Sequence, residues 1–331
     1  SEMCIRDRLR LGQAQRAAGG GKAAMGHDRR KQAKIIHILH AIVLIMERRM
    51  SILLSTAIIV PSLFPMTQAV QGASPNKKEM IMARKLENKV AVVTGGTTGI
   101  GLGIAQELAE AGARLFITGR RQEELDAAVR TIGHGAVGVQ GDVTRFADLD
   151  RLYDVVQQDG AQIDILVANA GGGSFQPIGS ITEEEFDRTF GLNVKATLFT
   201  VQKALPLLRD GASIILTGST ESVRALPAFS VYGATKAAIR NFARHWILDL
   251  KDRHIRVNTI APGATRTPGL QGLAADDAEW QALEGGLASQ IPLGRLADPR
   301  EIGKAALFLA SDDASYVNGV ELFVDGGFAQ I

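Results

Sequence analysis

From Lys89 onward the chain alternates between short runs of Val, Ile and Leu and longer stretches with apolar residues on one helical face. A run that is apolar at every position reads as a strand buried on both sides. Strands separated by helices pair in parallel, because a crossover must return the chain to the same end of the sheet. Strand-like runs fall at 90–94, 114–118, 136–140, 163–168, 213–217, 256–261 and 320–324, and helix-like stretches at 100–111, 121–131, 146–158, 183–208, 230–252 and 299–310. The pattern predicts an α/β fold: a doubly wound, parallel, seven-stranded sheet with helices on both faces, in a single domain of residues 82–331. One stretch, 262–299, lacks a clear strand, is punctuated by Gly and Pro, and carries a short helix near 276–283. Long connections of this kind in compact domains are lids or binding loops.

The first eighty residues do not share this pattern. Residues 1–85 hold 15 Lys and Arg against 5 Asp and Glu, whereas the rest of the chain holds 22 against 30. The folded part is therefore acidic and has no nucleic-acid footprint. Residues 1–34 are rich in Arg, Gly and Ala without apolar periodicity and read as disorder. Apolar runs at 35–46 and 52–60 are too short to span a bilayer, which needs about 20 residues. The second has a signal-peptide layout, with Arg48 and Arg49 before it and small residues at Thr67–Ala69 or Val70–Gly72 after it. A competing reading has Met3–Arg8 as translated library-adaptor sequence and Met82 as a natural start just before the first strand. Residues 1–81 are thus expected to be a non-core segment, and the folded domain to be cytoplasmic. Cys4 is the only cysteine, and the six histidines show no metal-ligand spacing, so no metal site is expected.

The first strand runs into Thr94-Gly-Gly-Thr-Thr-Gly-Ile-Gly101, where a helix begins. Gly95, Gly99 and Gly101 permit a tight turn and close backbone approach to a pyrophosphate, while the helix N-terminus offers unpaired N–H groups to the anion. Thr97, Thr98 and Ile100 complete that turn. The second strand ends at Gly119-Arg120-Arg121. An acidic residue there would hold the 2′-hydroxyl of NAD(H); Gly followed by two Arg favours the 2′-phosphate of NADP(H). Further along, Tyr232 and Lys236 stand at i and i+4, on one helical face. A cation beside a phenol favours phenolate, so Lys236 is expected to draw the Tyr232 pKa down.

Taken in order, Thr94–Gly101, Gly141-Asp142-Val143, Asn169-Ala170-Gly171, Asn193, Ser219, Tyr232–Lys236 and Pro262-Gly263 resemble the short-chain dehydrogenase/reductase family, over about residues 86–331. The resemblance implies hydride exchange between a nicotinamide and a small carbonyl or alcohol substrate, in a homotetramer or homodimer. It implies Tyr232 as general acid in reduction and base in oxidation, Lys236 on the nicotinamide ribose, and Ser219 on the substrate oxygen. Asn193 would keep a water that links Lys236 to solvent. Asp142 with Val143 would meet the adenine, and Asn169 with Ala170 and Gly171 the adenosine ribose side. Pro262, Gly263, Thr265 and Thr267 would border the nicotinamide, Thr267 near its carboxamide. Departures are Thr98, where many NADP-using members carry a basic residue, and Thr220–Arg224, which lacks a common glycine. Gly171–Phe175 is unusually glycine-rich and is expected to leave room near the nicotinamide. Two rivals remain: a 3-oxoacyl-thioester reductase, although the acidic core shows no basic patch for a carrier protein, and a catalytically silent nucleotide sensor.

Overall fold

A computed structural model of the chain describes residues 85–331; the expectations for residues 1–81 lie outside the described residues. Seven strands form one parallel sheet in the order β3-β2-β1-β4-β5-β6-β7. These are β1 (Val90–Thr94), β2 (Arg114–Gly119), β3 (Val137–Gln140), β4 (Ile163–Ala168), β5 (Leu208–Thr217), β6 (Arg256–Pro262) and β7 (Glu321–Val324). Between the first four lie helices α1 (Gly99–Glu110), α2 (Gln122–Ile132) and α3 (Phe146–Gln158). Because β1 pairs with both β2 and β4, the winding direction reverses there, and a crevice opens beyond the carboxyl ends of these two strands.

The central strands β1 and β4 are mostly apolar because each face covers a separate core. In β1, Val90 and Val92 join the layer with Phe116, Leu166, Ile214 and Val257, while Ala91 and Val93 join the opposite layer with Ile104, Leu108, Ile117 and Ile302. Each fully buried Val, Leu or Ile contributes about 1.5–3 kcal/mol. On the second layer, α1 meets α9 (Pro299–Ala310) at unusually short range. A methyl on Gly103 would lie 2.5 Å from the Pro299 carbonyl, and one on Gly303 would strike the Gly103 carbonyl. Arg300 closes this junction on Glu107 at 2.7 Å and also reaches Glu110. Asp298 and Glu301 form a reciprocal cap at the start of α9.

Three elements differ from the sequence expectation. The single helix expected over 183–208 is α4 (Glu183–Phe190), a wide π-turn at Gly191–Lys195, and α5 (Ala196–Ala204). The chain widens there around Asn193, whose side chain is fully buried and bonded sideways rather than along the helix. β5 begins at Leu208, five residues early. Leu208 pairs with Ile163, and the register then shifts before Ser213 meets Ile165, across the polar Arg209–Gly211. The expected helix 230–252 is α6 (Ser230–Asp249) plus a short 3₁₀ turn ending at left-handed His254. In the long connection, α7 (Pro268–Gln271) precedes α8 (Asp277–Ala288), which runs through Gly285 and Gly286. Two helical glycines cost about 1 kcal/mol each; Trp280 and Leu287, packed against the Phe328 cluster, offset that cost.

Candidate active site

At the end of β1 the chain turns through Gly95 (φ +64°) and Gly99 (φ +53°), both in the left-handed region that favours glycine. A methyl on Gly101 would collide with the Gly95 carbonyl, so the turn and the first turn of α1 share one space. Thr98 caps α1 without a side-chain hydrogen bond, and the first turn holds no acidic residue. Its N–H groups and positive dipole end are therefore left for an anion. Asn169 braces the turn from β4: its Nδ2 donates to Thr94 O and Gly95 O, each at 3.1 Å, and its Oδ1 accepts from Thr217 Oγ1 at 3.2 Å.

The crevice above these strand ends is a cleft of about 380 Å³. Its walls include Gly95, Thr97, Thr98, Gly99, Ile100 and Gly101 from the turn, and Arg120 and Arg121 beyond β2. They continue through Asp142, Val143, Asn169, Ala170 and Gly171, then Pro262, Gly263 and Thr267. Ser219, Tyr232 and Lys236 line the same cleft. The structure does not bring Thr265 or Asn193 to its surface. Thr265 is buried, with its hydroxyl donating to Gly263 O at 3.0 Å, and Asn193 stands behind the wall. Thr267 caps α7 through Leu270 N at 3.1 Å, and its methyl faces Gly99. A side chain at Gly119 would strike the Thr97 methyl, so no carboxylate can start from the end of β2 without moving Thr97. Arg121 pairs with Glu124, whereas Arg120 is exposed and makes no ion pair among the described residues. Asp142 accepts from Thr144 N and Oγ1 at 2.9 and 2.7 Å.

α6 carries Tyr232 and Lys236 one turn apart, with the Lys236 Nζ 5.4 Å from the Tyr232 ring centre. Lys236 is buried, and its Nζ donates to Thr217 O at 2.8 Å. Burial pushes its pKa down to about 8. For Tyr232, burial is also the dominant influence and pushes the phenol up to about 12. Hydrogen bonding with Ser219 works against that rise and the Glu221 charge adds to it. The downward pull expected from Lys236 is not what sets the phenol in this geometry. The ammonium is turned to the Thr217 carbonyl, and the loss of water around the phenol outweighs the Ser219 hydrogen bond. Ser219 Oγ accepts from Glu221 N at 3.2 Å, which leaves its own O–H to donate.

The glycine-rich segment after β4 works by close approach rather than by leaving room. Asn193 grips Gly172 from both sides: Oδ1 accepts from Gly172 N at 2.9 Å and Nδ2 donates to Gly172 O at 2.8 Å. Nδ2 also donates to Thr235 Oγ1 at 2.9 Å, and Thr235 donates in turn to Tyr232 O. A methyl on Gly173 would lie 2.6 Å from Tyr232 Cδ2. Phe229 stacks on the Tyr232 ring at 4.3 Å, and Phe175 stacks on Phe229 at 4.3 Å. Sequence reasoning missed Thr217, Thr235 and Phe229. Thr217 acts through its carbonyl and Phe229 through a ring face, neither of which leaves a motif. Thr235 had one faint signal, a hydroxyl within the Tyr232–Lys236 turn.

Among the described residues no three His, Cys, Asp or Glu side chains converge on a metal position, and no helix is long and apolar enough to cross a membrane. A family model described as enoyl-(acyl carrier protein) reductase matches residues 95–329. Oxidoreductase asL5 of Sarocladium schorii is 48% identical over 254 residues, covering 76% of this chain and all of that protein. A hydroxynaphthalene reductase-like protein Arp2 of Metarhizium brunneum is 37% identical over 262 residues, covering 74% of this chain and 96% of the relative. A solved short chain dehydrogenase/reductase family protein superimposes with a TM-score of 0.66 at 38% identity, covering 75% of this chain and 100% of that one. A putative gluconate dehydrogenase from Agrobacterium tumefaciens gives a TM-score of 0.69 at 27% identity, covering 76% and 99%. Agreement along the whole described fold, with relatives matched end to end, makes this chain a member of the short-chain dehydrogenase/reductase family, an oxidoreductase of carbonyl and alcohol groups that works with a nicotinamide cofactor.

Proposed function

We propose that the protein is an NADP(H)-dependent carbonyl reductase or alcohol dehydrogenase in which Tyr232 is the general acid and base, acting as a cytoplasmic homodimer or homotetramer. The observation that carries this reading is the convergence of Ser219, Tyr232 and Lys236 in the cleft that the glycine turn opens. The cleft suits a dinucleotide: two left-handed glycines and an uncapped helix start form a cradle that any Cβ at 101 would fill. Gly95, Gly99 and Gly101 would hold the pyrophosphate, Arg120 the 2′-phosphate, and Lys236 the nicotinamide ribose. When bound, the nicotinamide supplies or accepts the hydride. Ser219 Oγ–H donates to the substrate oxygen and holds it beside the phenol. As negative charge develops on that oxygen, the Tyr232 O–H transfers its proton; in oxidation the phenolate takes it back. A phenol raised by burial stays protonated at neutral pH and is ready to donate. Asn193 is a positioning residue in this scheme, holding Gly172 and, through Thr235, the Tyr232 backbone.

The test is a panel of aldehydes, ketones and sugars followed by NADPH absorbance. It includes hydroxynaphthalenes and acyl thioesters, because relatives and the matching family model carry those names. Tyr232→Phe is expected to lower kcat at least ~10²-fold, the scale of general acid–base catalysis, with the cofactor Kd unchanged. Retention of more than about a tenth of wild-type turnover, with a deuteride isotope effect showing that chemistry limits the rate, would remove Tyr232 from the role.

A further inference from the structure

The short helix α7, whose first residues line the cleft, and α8 after it are weakly anchored. Neither α7 nor α8 buries a single residue completely, and such elements lie at the low-stability end of a fold. Their apolar hold on the body is one small cluster, in which Leu270 of α7 and Trp280 and Leu287 of α8 pack around Ile291, Leu296 and Phe328, beside an ion pair from Glu284 of α8 to Arg266. Phe328 is 6% exposed and belongs to a C-terminal turn that is itself well built. The Asp325 carboxylate accepts from Gly327 N at 2.9 Å and Ala329 N at 2.7 Å. A methyl on Gly263, in the cleft wall, would lie 2.8 Å from Asp325 Cα.

The other side of Phe328 meets Arg224, five residues after Ser219. The guanidinium carbon lies 3.7 Å from the centre of the Phe328 ring, and Nη1 donates to the Phe328 carbonyl. Arg224 is fixed from behind, its backbone N donating to Thr220 O at 2.9 Å. A planar cation stacked on a ring and bonded to the same residue's carbonyl is a two-point clamp that an ammonium cannot reproduce. From this geometry we propose that Arg224 is a positioning residue for the substrate: it latches the C-terminal turn to the Ser219 loop and so fixes α7 and α8 over the carbonyl site. The inference rests on the reading that the substrate oxygen meets Ser219.

Trp280 and Trp246 are the two tryptophans of the chain, so a Trp246→Phe background makes Trp280 the reporter of the lid. In that background Arg224→Lys and Arg224→Met are expected to shift Trp280 emission to the red and to increase its quenching by acrylamide. With an active carbonyl compound from the panel, KM is expected to rise at least about fivefold and kcat to change less than about twofold, with NADP(H) Kd within about twofold, the pattern of lost substrate positioning. Phe328→Leu, which keeps the burial and removes the ring face, should reproduce the KM shift and decides the matter should Arg224→Met fail to fold. Unchanged Trp280 emission and KM in Arg224→Lys and Phe328→Leu would overturn the latch, as would a parallel loss of cofactor affinity. Tyr232→Phe serves as the separate control: its emission should match wild type, so an active Tyr232→Phe sinks the catalytic assignment without touching the latch.

Discussion

Lys236 holds a charge where the fold would prefer none. Its ammonium is buried, with the Thr217 carbonyl as its partner at 2.8 Å, and burial lowers its pKa from an ordinary 10.5 to about 8. Keeping the cation folded therefore costs about 3 kcal/mol at pH 7. The folded pKa is the lower one, so the cost is complete below about pH 8 and disappears as pH rises towards 10.5, where the unfolded lysine also loses its proton. Lys236→Met is expected to melt no lower than wild type at pH 7, with its relative stability declining from pH 8 to 10.5, while activity and NADP(H) affinity are lost. Melting curves across that range, without cofactor, check the sign. Stability given up at a working residue is a common cost of function. A second expectation concerns Arg120. Because Arg121 is shared with Glu124, Arg120 is expected to carry most of the proposed preference for NADP over NAD. That preference is expected to be at least ~tenfold, about 1.4 kcal/mol, and to approach parity in Arg120→Ala but not in Arg121→Ala. Fluorescence titration of both cofactors with each variant measures it.

Secondary elements were legible where burial is two-sided. β1 and β4 are apolar at nearly every position because both sheet faces are covered, and no other local structure explains such runs. The order of cleft residues was equally legible, since Gly95, Gly99, Ser219, Tyr232 and Lys236 are constrained one by one by chemistry. What escaped was set by neighbours distant in sequence. The π-turn at 191–195 exists because Asn193 must reach Gly172 and Thr235, neither of which lies on its own helix. The early start of β5 rests on Leu208 alone pairing with Ile163, while the residues that follow it are polar. α8 runs past its two glycines on account of Trp280 and Leu287 docking on the C-terminal turn. Gly173 looked like spare room until the Tyr232 ring filled the space beside it.

At the scale of the molecule, α4 and α6 leave apolar surface that this sheet does not cover. Phe186 is 44% exposed and stacks on Phe190, and Leu248 is 66% exposed beyond the stacked Phe242 and Trp246. Association through these helices would bury it, so a chain starting at Met82 is expected to run as a homodimer or homotetramer. A monomer mass by light scattering at micromolar protein would contradict this. The junction of α1 with α9 has a consequence of another kind, for the order of events during synthesis. Glu107 and Arg300 are 193 residues apart, and translation at about 5–20 residues per second separates their appearance by on the order of ten seconds or more. Until Gly303 arrives to seat against Gly103, the helix whose N-terminus would receive the dinucleotide lacks its neighbour. A nucleotide that met the nascent chain would find α1 without that support, and the finished cradle is expected only after α9 has emerged.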